Sequence, residues 1–178
     1  TWYASASLSW ASLLMAVIAA WARQSGQRWS AHWQGLSVLF MLLSMDELLE
    51  LHERLIDPMK ALFHLDGLGI FRYAWVIPAL AGVVVIGLAY LKFLIELPPR
   101  IRRLVLIAGA FYVTGAAGFE MIGGAYESAV GRGLGYALIT AAEEVLEMIG
   151  VAVMISALLE FMAAHRIAVS VTAPRSSK

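Results

Sequence analysis

Five long apolar stretches, separated by short polar segments, dominate the pattern of hydrophobic and polar positions. A transmembrane helix needs ~20 predominantly apolar residues, and each stretch is long enough. The predicted spans cover approximately residues 3–22, 30–55, 72–94, 101–124 and 136–165. Pro78 predicts a kink in the third span, because proline removes a helical hydrogen bond. The pattern predicts an all-α integral membrane bundle of five transmembrane helices.

Composition agrees with this class. The chain has 178 residues, of which 61% are hydrophobic and 15% charged, and its mean hydropathy is +0.76. A soluble domain is nearer half apolar and a quarter charged. The absence of cysteine excludes a disulfide, a thiolate metal site and a cysteine nucleophile. We therefore expect a single transmembrane domain over residues 1–169 and a polar, cytoplasmic tail over 170–178.

Basic residues are distributed unequally between the two sides of the predicted bundle. One side takes the loops after the first and third spans and the C-terminus. Its basic residues are Arg23, Arg28, Lys92, Arg100, Arg102, Arg103, Arg166, Arg175 and Lys178. The basic residues of the other side are Arg54, Lys60, Arg72 and Arg132. Because cytoplasmic loops carry the excess of Lys and Arg, the N-terminus is predicted outside and the C-terminus inside. Six of them are then positive-inside membrane anchors, and we expect no nucleic-acid partner; the six are Arg23, Arg28, Arg100, Arg102, Arg103 and Arg166.

Acidic residues gather on the opposite, outer side. The acidic residues predicted there are Asp46, Glu47, Glu50, Glu53, Asp57, Asp66, Glu120, Glu127, Glu143, Glu144 and Glu147. A charge at the bilayer centre costs at least ~2.5–3.5 kcal/mol on insertion scales. Such side chains therefore face the bundle interior, an aqueous cavity or a partner, and they are usually functional.

Helical periodicity directs part of this acidic set toward one volume. At 3.6 residues per turn, the second, fourth and fifth spans each align carboxylates on one face, at similar depth. One histidine flanks the stripe of the second span. The residues predicted to form the site are Asp46, Glu50, His52, Glu53, Glu120, Glu143 and Glu147.

A metal centre is the leading interpretation of this site. Ferritin-like di-iron bundles use Glu-x-x-His motifs, which this chain lacks. With a single histidine near the carboxylates, a divalent or di-metal centre of iron or manganese is easier to build than one of zinc or copper. Calcium is the alternative at a wetter rim. Such a centre predicts redox or hydrolytic chemistry.

Two other functions fit the same residues. The carboxylates can share protons and form a proton or cation pathway, which in so small a chain predicts a homo-oligomer. Alternatively, the chain is a non-catalytic accessory subunit of a larger membrane complex, such as an electron-transfer or photosynthetic complex. A purely structural origin also stays open, because Arg54, Arg72 and Arg132 can pair with nearby carboxylates.

Two short motifs carry a resemblance. Ser44-Met-Asp46-Glu47 precedes His52-Glu53, and Glu143-Glu144-Val-Leu-Glu147-Met148-Ile-Gly150 lies in the fifth span. The chain resembles a group of uncharacterised bacterial multi-spanning membrane proteins, which carry Ser-x-Asp-Glu-x4-His-Glu on one helix and Glu-Glu-x2-Glu-Met-x-Gly on another. The resemblance implies a multi-pass protein of the bacterial inner (plasma) membrane. It implies no reaction, because no activity is established for that group.

Overall fold

Helices make up the regular secondary structure of the computed structural model, which describes residues 2–65 and 69–167. The α-helices are α1 (Trp2–Gln24), α2 (Ser30–Leu49), α3 (Ile56–Phe63), α4 (Val76–Ala89), α5 (Leu91–Glu96), α6 (Pro99–Val113), α7 (Glu120–Val130) and α8 (Leu134–Ala164). Leu51–Leu55 and Gly69–Phe71 form 3₁₀ turns, and Thr114–Phe119 is a π-helix. The described residues contain no strand, so the all-α class is confirmed. Asp66 and the predicted tail lie outside them.

Three helical stretches are long and apolar enough to cross a membrane. They are Trp2–Gln24, Pro99–Val130 and Leu134–Ala164, and the second is continuous because the π-helix joins α6 to α7. Helix α4 is apolar but only 14 residues long. These helices indicate a membrane protein.

Reciprocal serine pairs hold α1 against α2. Ser5 Oγ donates to the Ser44 carbonyl at 2.8 Å, and Ser44 Oγ donates to the Ser5 carbonyl at 2.8 Å. Farther along, Ser12 and Ser37 exchange the same two bonds at 2.7 and 3.0 Å. Small residues let helices approach closely in membranes, where hydroxyl groups also bond across the interface. Helices α1 and α2 are therefore an antiparallel pair, with the C-terminal end of α2 beside the N-terminal end of α1.

Glycines bring α6 and the π-helix into backbone contact with α8. A Cβ atom at Gly150 would lie 2.8 Å from the Tyr112 backbone nitrogen and 2.9 Å from the Ala108 carbonyl oxygen. A Cβ atom at Gly115 would lie 2.9 Å from the Glu143 carbonyl oxygen. Neither position leaves room for a side chain, so α8 and the α6–π stretch are in close backbone contact.

An aromatic core closes the end of the bundle where α1 ends and α2 begins. Trp33 is buried there, with its ring centroid 5.0 Å from those of both Phe93 and Phe161. Trp21, near the end of α1, packs edge-on against Phe161, near the end of α8. The C-terminal ends of α1 and α8 therefore share this end, and the residues that follow α2 lie at the opposite end.

Two helix boundaries differ from those predicted. Helix α2 ends at Leu49 instead of continuing to residue 55, and Glu50 adopts a left-handed conformation with φ of 50°. The predicted kink at Pro78 is absent, because Pro78 lies in the first turn of α4, where the backbone nitrogen needs no helical partner. The break falls at Tyr90 instead, whose hydroxyl contacts Gly35 and donates to the His32 carbonyl at 3.3 Å.

Substituting Gly150→Ala tests the contact between α6 and α8. The added methyl group meets backbone atoms that cannot rotate away, so we expect a lower melting temperature in detergent, equivalent to about 1–3 kcal/mol. Gly109→Ala is the matched control, since no atom lies within 4 Å of the place that a Cβ atom would take at Gly109. The control should be neutral or slightly stabilising, because alanine favours a helix over glycine. Equal melting temperatures for both variants would contradict the close contact.

Candidate functional site

Asp46 ends α2 and turns the chain back toward itself. Its backbone carbonyl accepts the Glu50 N–H at 2.7 Å, which fixes the left-handed turn. Its side chain accepts the backbone N–H of His52 at 2.8 Å through Oδ1, and Oδ2 lies 2.9 Å from His52 Nδ1. The short polar side chain thereby satisfies groups that a continuing helix would have satisfied. His52, predicted to flank the acidic stripe, is instead the direct partner of Asp46.

Trp75 connects this pair to α7. The His52 and Trp75 ring centroids lie 4.7 Å apart. On its other side, Trp75 Nε1 donates to Glu120 Oε1 at 3.2 Å. Trp75 immediately precedes α4, and Glu120 is the first residue of α7. Side chains from three separate parts of the chain therefore meet at this end of the bundle.

A pair of carboxyl groups lies at the centre of the site. The Glu143 side chain, on α8, lies within hydrogen-bonding range of the Glu120 side chain. Glu147 and Glu144 lie within electrostatic range of the pair, and Glu143 and Glu147 are half-buried. Ionised carboxylates only accept hydrogen bonds, so a bond between two carboxyl groups requires that one of them carry a proton.

Tyr112 links the two halves of the site. Its half-buried side chain lies within electrostatic range of both Glu147 and Asp46. Tyr112 is on α6, one turn before the π-helix, and that π-helix ends directly before Glu120. Such π-turns are frequent at functional sites, and this one determines which face Glu120 presents to α8.

The other predicted site residues lie apart from this group. Glu50 and Glu53 are exposed, since the turn at Asp46 removes them from the helical stripe on which the prediction depended. The structure therefore brings together Asp46 with His52, and Glu120 with Glu143 and Glu147. It leaves Glu50 and Glu53 at the surface.

The Glu127 carboxylate is bonded by neighbouring side chains and has a structural role. Its side chain is only 8% exposed and accepts bonds from Arg72 Nε at 3.0 Å, Tyr73 Oη at 2.7 Å and Arg132 Nε at 2.7 Å. Hydrogen bonding to Glu127 raises the pKa of the Arg132 guanidinium above its ordinary value. Two of the basic residues predicted as pairing partners, Arg72 and Arg132, thus satisfy this carboxylate and fasten the segment before α4 to α7.

Metal-ligand geometry is not found in the described part of the chain. Over residues 2–65 and 69–167, no group of three or more histidine, cysteine, aspartate or glutamate residues is arranged to hold a metal ion. The metal-binding interpretation therefore has no support from the side-chain arrangement. The site resembles a hydrogen-bonded acid cluster more than a coordination sphere.

Trp75 and Tyr112 are site residues that sequence reasoning missed. Neither lies in a motif, and neither shares a helical stripe with the carboxylates. Trp75 reaches Glu120 because the segment before it packs closely against α7. A Cβ atom at Gly124 of α7 would lie only 3.0 Å from the Gly69 carbonyl oxygen. Tyr112 reaches the site through the close contact at Gly150. Both positions depend on tertiary packing that a periodic pattern does not contain.

Comparison with known proteins places the chain in one family. No curated protein and no solved structure matches it. Residues 1–161, most of the chain, match a family described as a domain of unknown function (DUF8692). That segment includes every residue of the acid cluster described above. The chain therefore belongs to the DUF8692 family.

Proposed function

We propose that this protein is a membrane subunit that binds and transfers protons through its carboxyl cluster. The observation that carries the proposal is the close approach of the Glu143 and Glu120 carboxyl groups. Two carboxyl groups in hydrogen-bond contact hold one proton between them, and protonation removes the repulsion that two adjacent charges would have. Buried acids that share protons are typical of proton relays in membrane proteins.

The proton has a defined donor and acceptor. Glu120 Oε1 already accepts the Trp75 N–H at 3.2 Å. Glu143 then carries the shared proton and donates it to Glu120. Glu144, the exposed neighbour of Glu143, provides a route to solvent at this end of the bundle.

The route can continue inward for only a short distance within one chain. Glu147 and Tyr112 extend the ionisable groups toward Asp46 and His52. Beyond Gly150, the buried face of α8 continues with Val151, Met154 and Leu158, which are apolar and transfer no protons. A complete pathway therefore requires a second copy of the chain, which the reconstituted protein can supply.

The proposed setting is a multi-pass protein of the bacterial inner membrane with five spans. Three spans are the long apolar helices, the fourth is α2, which packs along α1, and the fifth is α4 with α5. The basic residues predicted to be cytoplasmic place the N-terminus outside, and the acid cluster then faces the outer half of the membrane.

A flux measurement tests the proton pathway. The chain is reconstituted in liposomes that enclose a pH-sensitive dye, and a pH gradient is imposed. We expect proton flux that falls to the level of empty liposomes in Glu143→Gln, because glutamine can neither release nor accept the proton. Glu53→Gln is the matched control, since this exposed carboxylate lies outside the cluster. Flux equal to that of empty liposomes for the unmodified chain, or unchanged flux in Glu143→Gln, would contradict the proposal.

A divalent metal is the alternative that the sequence predicts, and it would require the carboxylates to rearrange, since no group among the described residues is placed to hold a metal ion. A cation of iron, manganese or calcium would replace the shared proton and be held by carboxylates. Metal analysis of protein purified without chelator separates the two functions. If the protein contains stoichiometric metal and EDTA lowers its melting temperature, the metal centre is supported. If the protein contains no metal, the proton site is supported.

Single cysteines test the predicted orientation, because the chain has no cysteine of its own. We expect a membrane-impermeant maleimide, applied to intact cells, to label Ser128→Cys at the outer end and to leave Ser25→Cys unlabelled until the membrane is permeabilised. The reverse pattern, or labelling of both residues from the same side, would overturn the proposed orientation.

A further inference from the structure

A cavity of about 210 Å³ lies at the end of the bundle opposite the acid cluster. It is partly open to the surface and is formed where α1, α2, α5 and α8 meet. Ligand pockets for drug-sized molecules enclose ~300–1,000 Å³, so a ligand here must be small. None of the residues assigned to the carboxyl cluster lines this cavity.

Five aromatic rings contribute to its wall. The lining includes Trp21, Trp29, Trp33, Phe93 and Phe161. These rings fix one another: Trp29 packs edge-on against Phe93 at 5.9 Å between centroids, and Trp33 does so at 5.0 Å. Because each ring is held by its neighbours, the wall is already organised before any ligand binds. Such preorganisation lowers the entropy cost of binding.

The rim of the cavity carries one negative charge. Glu96 is the charged residue of the lining, which also contains Gln27 and His165 as polar groups. Trp29 Nε1 donates to Glu96 Oε2 at 2.6 Å, and this bond holds the carboxylate against the aromatic wall. A carboxylate beside tryptophan faces is the arrangement that attracts organic cations, since the ring quadrupole and the charge act in the same direction.

The protein already places one cation against two residues of this lining, Trp29 and Glu96. The Arg28 guanidinium carbon lies 4.5 Å from the Trp29 ring centroid, and Arg28 Nη1 donates to Glu96 Oε1 at 3.1 Å. The Arg28 side chain is 69% exposed, so a competing cation can displace it at low cost. Its position shows that the Trp29 face and the Glu96 carboxylate together bind a delocalised cation.

We propose that this cavity binds the alkylammonium group of a small organic cation, with Glu96 as the counter-ion and the tryptophan rings as the walls. Two sources supply this chemistry: a free quaternary ammonium compound, and the choline headgroup of a membrane lipid. The proposal is independent of the proton pathway, because the two sites lie at opposite ends of the bundle.

Choline is the probe for the binding test. The full chain is placed in phosphatidylglycerol nanodiscs, and tryptophan fluorescence is followed during a titration with choline chloride, with sodium chloride as the ionic-strength control. We expect a saturable change, because three of the six tryptophans line the cavity. The neutral isostere 3,3-dimethylbutan-1-ol has the same shape without the charge, and we expect it to bind at least about tenfold more weakly.

Two variants identify the cavity as the binding place. Glu96→Gln keeps an acceptor for Trp29 Nε1, so the fold should persist, while choline binding should fall toward that of the neutral isostere. Trp29→Phe keeps an aromatic wall and should weaken choline binding by a smaller factor. Equal binding of choline and its isostere, or an unchanged choline titration in Glu96→Gln, would overturn the proposal. So would the absence of any saturable response.

Nanodiscs of phosphatidylcholine distinguish the two sources. If the lipid headgroup occupies the cavity, added choline produces no further change in these discs and only the phosphatidylglycerol discs respond. If the ligand is a free cation, choline titrates equally in both. Either result supports an alkylammonium site.

Discussion

The backbone contact between α8 and the stretch formed by α6 and the π-helix is the constraint on which the rest of the structure depends. Gly150 and Gly115 leave no space for a side chain, so α8 lies directly against the turns that contain Tyr112 and precede Glu120. Within a membrane, close packing of this kind replaces the hydrophobic effect as the main source of helix association. The contact also places half-buried carboxyl groups of α8 beside Glu120, where two full charges would repel each other.

The two ends of the bundle have opposite chemistry, and each end has its own way of accommodating polar groups. At one end, Glu143 and Glu120 lie within hydrogen-bonding range of each other, Trp75 bonds to Glu120, and His52 pairs with Asp46. At the other, aromatic rings surround a small cavity, and the charges of Glu96 and Arg28 pair at its rim. The chain has a formal net charge of zero, although charged side chains gather in separate places at the two ends of the bundle.

Helical periodicity predicted the parts of the site that lie on a regular helix. Glu143 and Glu147 share a face because α8 runs without interruption from Leu134 to Ala164. The same reasoning failed for Glu50 and Glu53, because the Asp46 side chain bonds to His52 and ends α2 at Leu49. The π-helix has more residues per turn than an α-helix, so Glu120 lies on a different face from the one that a 3.6-residue period predicts. Trp75 and Tyr112 enter the site through tertiary contacts alone, so no spacing in the sequence could have identified them.

Infrared spectroscopy of the carboxyl groups tests the shared proton most directly. A protonated carboxylic acid has a carbonyl stretch that is separate from the carboxylate bands and shifts to lower frequency in deuterium oxide. We expect this band at neutral pH in the unmodified protein and its loss in Glu143→Gln, while Glu53→Gln keeps it. A spectrum at neutral pH with only carboxylate bands, or a protonated band that persists in Glu143→Gln, would contradict a proton shared between Glu143 and Glu120.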